Sequence, residues 1–130
     1  MLFFLTSSTI HLFNSNFHRE DWKGTVEYLE NIKNSPLILF EDNNIPAPVL
    51  LYQKSNLFMS PGLKKVPSNK EDDINELSDS KEIYLLEYLV DINDPRRILQ
   101  KRIKSMGFTE KEIINFRGVG FVYHYLRQYN

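Results

Sequence analysis

Apolar residues recur every three or four positions between residues 21 and 33, which predicts an amphipathic helix with one buried face. Glu20 or Asp21 is suited to be its N-cap, because a carboxylate there accepts free backbone N–H groups. Pro36 ends the helix, since the residue before proline avoids helical geometry. The predicted buried stripe consists of Trp22, Val26, Leu29 and Ile32.

Short apolar runs farther along the chain predict strands. Leu37–Phe40 has no polar alternation, as expected of a strand buried on both faces. The run 83–90 combines β-branched, aromatic and aliphatic residues and predicts a second strand, and 57–59 is a third, shorter candidate.

Prolines at 46 and 48 predict a helix over 47–54. The polar stretch 64–81 predicts a surface loop with one helical turn around 72–77.

The C-terminal part predicts a helix followed by a β-hairpin. Asp94 is the expected N-cap and Pro95 the first helical residue, while Gly107 provides a left-handed stop. Residues 112–116 and 121–128 predict the two hairpin strands, joined by a turn that contains glycine. Alternation places two sets of side chains on opposite faces of the last strand: Phe121, Tyr123 and Tyr125 on one, and Val122, His124 and Leu126 on the other.

The order of these elements predicts an α/β fold. We expect a small open sheet of two or three layers, with parallel core strands and an antiparallel C-terminal hairpin. A length of 130 residues suits one domain, which we place at 16–130. Residues 1–15 form a separate apolar segment. This segment is too short to cross a bilayer, which takes about 20 apolar residues. It is either a packed element of the domain or the end of a transmembrane helix that begins upstream.

Composition and residue spacing exclude several classes of function. The net charge is −1, with 16 basic and 17 acidic residues, so no basic field favours nucleic acid as a partner. The absence of cysteine excludes disulfides and thiolate chemistry. No glycine-rich phosphate loop and no metal-binding or triad spacing occurs around the three histidines. We therefore predict no catalytic residue, no metal and no cofactor in this chain.

Several segments resemble, in order, the C-terminal soluble domain of multi-pass membrane glycosyltransferases. The similarity is to dolichyl-phosphate-mannose–protein mannosyltransferases and aminoarabinose transferases, which use polyprenyl-phosphate-linked sugars. The segments that carry it are "FHREDWKGTVEYLENI", "SPLILFEDNN", "IPAPVLLYQ", "KEIYLLEYLVDINDPRRILQKRIKSMGF" and "FRGVGFVYHYLRQ". The first is like the junction that follows the final membrane span in that family.

The resemblance implies a domain on the extracytoplasmic side, joined to the membrane-embedded part of the same enzyme. Residues 1–13 would then end the last transmembrane helix, and the catalytic acid of the family would lie upstream of this chain. The domain would cap the membrane core and help bind acceptor or lipid-linked sugar. Its junction to the membrane would be fixed by Arg19, Glu20, Asp21 and Trp22.

Two alternatives remain open from the residues themselves. Trp22 is either a core residue or an aromatic ring at a membrane–water boundary. The whole chain is either the membrane-attached domain or a free-standing cytoplasmic α/β module that binds a protein or small ligand. A ligand would meet the sheet beyond the carboxyl end of the first strand, where the candidate loop consists of Asp42, Asn43 and Asn44.

Overall fold

The structure is a computed structural model that describes residues 20–34, 36–40, 46–54 and 75–128. Helices and strands are interspersed along this part of the chain. In chain order they are α1 (Trp22–Glu30), β1 (Leu37–Phe40), α2 (Ala47–Tyr52), α3 (Asn75–Asp79), β2 (Glu82–Glu87), α4 (Val90–Asn93), α5 (Ile98–Ser105), β3 (Phe108–Phe116) and β4 (Gly120–Arg127).

The four strands form one mixed sheet in the order β1-β2-β4-β3. Strand β1 is parallel to β2, with Leu37 opposite Ile83. Strand β4 is antiparallel to both of its neighbours, β2 and β3. The predicted α/β class, with a parallel pair at the core and an antiparallel C-terminal hairpin, is confirmed.

Helices cover both faces of the sheet, so the domain has three layers. On one face, α1 and α2 pack against the strands through a core of Trp22, Val26, Leu29, Ile38, Phe40, Val49, Tyr84, Leu86, Val119 and Val122. On the other face, α3 and α5 enclose a core of Leu37, Leu39, Leu77, Ile83, Leu85, Leu99, Ile103, Phe108 and Tyr125. The predicted alternation along β4 is confirmed at Val122 and Tyr125, which lie in different cores. Strands β1 and β2 are buried on both sides, as their unbroken apolar runs predict.

Strand β2 is shorter than predicted. It ends at Glu87, whereas the apolar run continues to Val90. Leu89 adopts a left-handed conformation with φ of 52°, which an extended strand does not allow. The single helical turn α4 follows, and an element so short has no periodic pattern by which a sequence could predict it.

Helix α5 also begins later than predicted. Its first residue is Ile98 rather than Pro95, because Asp94 O accepts a turn hydrogen bond from Arg97 N at 2.9 Å. Asp94 nevertheless acts on the helix N-terminus, since its Oδ2 accepts from the Leu99 N–H at 2.9 Å. The turn from Asp94 to Arg97 moves the start of α5 to Ile98. The Asp94 carboxylate still accepts a backbone N–H at the helix N-terminus, as the sequence predicts.

Other boundaries differ by a few residues. Strand β3 begins at Phe108, four residues before the predicted position, directly after Gly107 with φ of 86°. The expected helix at 47–54 ends at Tyr52. The predicted turn around 72–77 corresponds to α3. The strand predicted at 57–59 lies outside the described residues.

Helix α1 begins as predicted and selects Asp21 over Glu20 as the N-cap. Asp21 Oδ1 accepts from the Gly24 N–H at 3.0 Å. Close approach of a strand is a common reason for a glycine inside a helix, but the atoms nearest to a Cβ at Gly24 are those of the capping carboxylate. A Cβ atom at Gly24 would lie 2.6 Å from Asp21 Oδ2, so the glycine makes room for the capping carboxylate.

This contact predicts a coupled effect of two substitutions. In the native chain, Gly24→Ala displaces the cap, and the loss of about 1 kcal/mol offsets the gain in helix propensity of similar size. In the Asp21→Ala background no cap remains to displace, so Gly24→Ala is expected to stabilise the protein by about 1 kcal/mol. Urea unfolding of the four variants measures the coupling. Equal effects of Gly24→Ala in both backgrounds would contradict this interpretation of the glycine.

Candidate functional site

The junction at residues 20–22 is tied to the domain by backbone and side-chain hydrogen bonds. The Asp21 N–H donates to Arg117 O at 2.8 Å, which joins the start of α1 to the turn of the C-terminal hairpin. The Thr25 hydroxyl donates back to Asp21 O at 2.7 Å. These bonds fix the direction in which the chain leaves the domain at its N-terminal side.

Trp22 belongs to the core. Its side chain is 4% exposed, and its ring meets the Tyr88 ring edge-on with centroids 4.7 Å apart. The indole N–H donates to Glu20 Oε2 at 2.5 Å, so the polar group of the buried ring has a hydrogen-bond partner. The core interpretation of Trp22 is confirmed, and its ring is not exposed as a ring at a membrane boundary would be.

Of the four residues predicted to fix the junction, the structure describes Glu20, Asp21 and Trp22, which are hydrogen-bonded at the start of α1. Arg19 lies outside the described residues, and so does the candidate ligand loop of Asp42, Asn43 and Asn44. The docking role of the first group and the ligand role of the second therefore stay predictions.

A polar cluster that the sequence did not single out lies on the α1 side of the sheet. His124 Nε2 is 2.8 Å from Glu82 Oε1. The Tyr84 ring stacks on the His124 ring with centroids 4.4 Å apart, and its hydroxyl donates to the same carboxylate oxygen at 3.2 Å. The register explains the contact, because Tyr84 and His124 are directly opposite in β2 and β4.

Two further residues, Glu112 and Tyr28, lie beside Glu82, Tyr84 and His124. These five residues are called the imidazole cluster. Glu112 is opposite His124 on the edge strand, and Tyr28 of α1 meets Tyr84 with ring centroids 6.3 Å apart. Burial, with a smaller effect of Glu112, raises the pKa of Tyr28, and burial together with Glu82 raises the pKa of Tyr84. Both phenols thus keep their protons near neutral pH and act as hydrogen-bond donors rather than bases.

A second cluster surrounds Glu87 at the carboxyl end of β2. The Glu87 side chain is almost completely buried and lies 3.1 Å from Arg97 Nη1. Gln100 Nε2 donates to Glu87 Oε1 at 3.0 Å. Arg97 also bridges to the exposed carboxylate of Asp91 at 3.2 Å. This Glu87 cluster joins the end of β2 to α4 and α5.

The sequence does contain a signal that Glu87 is buried and paired. It is the one charged residue in the apolar run 83–90, and a buried carboxylate in such a run requires partners. Its partner Arg97 lies in a basic stretch, 96–104, which in sequence is typical of the solvent-facing side of a helix. In fact Arg97 precedes α5 in a left-handed conformation, with φ of 55°, and returns to the end of β2. Backbone at positive φ in a non-glycine residue has no clear signature in a single sequence.

The Glu87 carboxyl makes a testable contribution to pH dependence. Burial raises its pKa, and this outweighs the opposing effect of Arg97. The neutral carboxyl stabilises the folded state at pH values below the unfolded-state pKa. This contribution is lost as pH rises through the higher folded-state pKa. Glu87→Gln is therefore expected to gain stability relative to the native chain as pH rises from about 4, the ordinary pKa of a glutamate in an unfolded chain, towards neutral. Urea unfolding across that range measures the difference, and a gain of the native chain over the variant would show that Arg97 dominates.

Neither cluster is suited to hold a metal ion. Within residues 20–34, 36–40, 46–54 and 75–128, no group of three or more histidine, aspartate and glutamate side chains has a metal-binding arrangement. The helices in the same ranges are all too short or too polar to cross a bilayer. The described clusters are thus networks of hydrogen bonds and ion pairs that connect strands to helices.

Comparison with known proteins gives no family for this fold. No protein-family model, no curated protein and no solved structure matches the chain.

Proposed function

We propose that this chain is the extracytoplasmic soluble domain of a membrane glycosyltransferase that uses a polyprenyl-phosphate-linked sugar. Its partner is the membrane-embedded part of the same enzyme. The domain caps that part and assists acceptor or lipid-linked sugar binding, without supplying a catalytic residue. The proposal starts from the resemblance of the segment around residues 17–32 to the junction after the last membrane span of such enzymes.

The observation that carries the proposal is the fixed junction at residues 20–22. The residues of the resembling motif that the structure describes are the ones that hold the start of the domain in place. Asp21 caps α1 and bonds to Arg117, and Trp22 is buried against Tyr88. A rigid connection of this kind suits a domain whose orientation relative to a membrane span matters.

The completeness of the sheet gives further support. Strands β2 and β4 at its centre each have both neighbours among the described strands. The described residues of both cores begin at Trp22. The two central positions of the sheet are thus filled by strands from the described part of the chain.

The polar clusters support a role without catalysis by this chain alone. Glu82 and Glu87 are each engaged by neighbouring side chains of the domain, His124 in one case and Arg97 and Gln100 in the other. Such groups connect elements of the fold, and breaking them is expected to affect stability before chemistry.

Transfer assays on membranes test the proposal. The coding sequence is expressed with its natural upstream region, and sugar transfer from a polyprenyl-phosphate donor is measured. We expect apolar spans upstream, transfer that disappears when residues 20–130 are deleted, and transfer that survives His124→Ala. An upstream region without spans, or membranes without transfer, would contradict the glycosyltransferase assignment. Loss of transfer in a folded His124→Ala variant would contradict the non-catalytic role.

A further inference from the structure

An exposed apolar surface lies just beyond the end of β2. Ile92 is 74% exposed, Leu89 is 49% exposed and Phe121 is 42% exposed. Leu89 and Ile92 belong to the turn around α4, and Phe121 is opposite Glu87 in the register of β4 with β2. These three side chains are called the apolar tip below. Several exposed large apolar groups at one end of a domain are typical of a contact surface.

The backbone holds part of the apolar tip in a fixed and strained conformation. Leu89 has a φ of 52°, an uncommon conformation for a branched residue. The turn is closed by hydrogen bonds from Asn93 N to Leu89 O at 3.0 Å and from Asp94 N to Val90 O at 2.8 Å. A non-glycine residue at positive φ persists only when its surroundings impose it. The exposure of Leu89 and Ile92 is therefore a defined feature of the fold.

The apolar tip is at the same end of the domain as the junction. Trp22 packs on Tyr88, the residue directly before Leu89. The Asp21 N–H reaches the hairpin turn at Arg117, four residues before Phe121. The chain outside the described part therefore meets the domain beside the apolar tip, and its residues 1–13 are mostly apolar.

Charge does not favour an anionic partner for this surface. Among the described residues at this end, the basic ones are Arg96, Arg97 and Arg117, and the acidic ones are Glu20, Asp21, Glu87, Asp91 and Asp94. Any contact with lipid must then come from the apolar side chains rather than from attraction to negative headgroups. It should occur on neutral lipid and depend little on salt.

We propose that the apolar tip inserts into the interfacial layer of the bilayer to which the chain is attached. This inference rests on the membrane attachment in the proposed function and adds the surface and orientation of contact. Apolar side chains of interfacial segments lie about 5–10 Å into the boundary between headgroups and acyl chains. Contact there would hold the domain at a defined angle, with the carboxyl end of β1 and β2 toward the membrane.

Site-specific labelling of the full chain tests the proposal, because the protein has no cysteine. Ile92→Cys carries an environment-sensitive fluorophore. Leu51→Cys is the matched control, since Leu51 is 75% exposed and also apolar. It lies on α2, whose C-terminal side is bound to the far end of α1 through the Lys54 N–H and Glu30. Both variants are mixed with phosphatidylcholine vesicles that carry quenchers at shallow or deep acyl positions.

The expected result is a shift of emission to shorter wavelength at residue 92, with stronger quenching by shallow than by deep quenchers. Residue 51 is expected to keep its aqueous emission, and added salt is expected to change neither signal. If the chain binds vesicles but the fluorophore at residue 92 keeps its aqueous emission, or if the emission shifts equally at residues 92 and 51, insertion of the apolar tip is contradicted. Membrane attachment itself would then still stand. A full chain that does not sediment with vesicles would overturn the attachment itself, and the apolar tip with it.

Discussion

Gly120→Ala is expected to lower the free energy of unfolding by about 3–5 kcal/mol, from a disfavoured backbone conformation and overpacking together. Gly120 has a φ of 127°, which side-chain-bearing residues rarely adopt. A Cβ atom there would also clash with the Glu87 carbonyl oxygen, far inside van der Waals contact. That oxygen belongs to the central strand β2 and cannot move without disturbing the sheet. Urea unfolding followed by circular dichroism measures the loss.

Gly107→Ala is the matched control for this prediction. Gly107 also has a positive φ, 86°, but a Cβ atom there would meet nothing within 4 Å. Only the conformational cost of about 1–2 kcal/mol is then expected. If the two variants lose the same stability, the close approach of β4 to Glu87 is not the cause of the effect at Gly120.

Trp22→Ala is expected to cost about 3–5 kcal/mol, as is usual when a large buried aromatic side chain is removed. The change would remove the contact with Tyr88 and leave a cavity beside Val26 and Leu29 in the core on the α1 side. The effect matters for function because Trp22 is also part of the junction. Thermal and urea unfolding of the full chain measure it.

Trp22→Phe separates the two contributions of the indole. Phenylalanine keeps most of the apolar contact but cannot donate to Glu20. A hydrogen bond to a charged group contributes about 1.5–3 kcal/mol, so the phenylalanine variant is expected to lose stability, but less than Trp22→Ala, which also removes the apolar contact. Equal losses in the two variants would show that the bond to Glu20, rather than burial of the ring, stabilises the junction.

Much of the fold could be predicted because its signals are local. The apolar run of β1 and the helical spacing of α1 are set by burial, which determines where side chains must point. The alternation along β4 predicted which residues face which core, as Val122 and Tyr125 show. The end of β2 and the start of α5 were misplaced because they depend on left-handed backbone at Leu89 and Arg97. Only long-range contacts impose that conformation on such residues.

The candidate site was less predictable than the fold. Asp21 and Trp22 were found because a cap and a lone tryptophan are visible in sequence. The imidazole cluster was missed because Glu82, Tyr84 and His124 come together through the register of β2 with β4. That register is a property of strand pairing across some 40 residues of chain, and a single sequence does not specify it. The Glu87 cluster depends in the same way on the return of Arg97 to the end of a strand.

The most direct test of the account compares the full chain with a chain that starts at residue 14. The described residues form a core on each face of the sheet, and the central strands β2 and β4 have their neighbours among them. We therefore expect removal of residues 1–13 to change the free energy of unfolding by less than about 0.5 kcal/mol, as for changes outside the core, and to increase solubility. Unfolding of the shortened chain, or a loss of more than about 2 kcal/mol, would show that the segment is part of the core and that the membrane account is wrong.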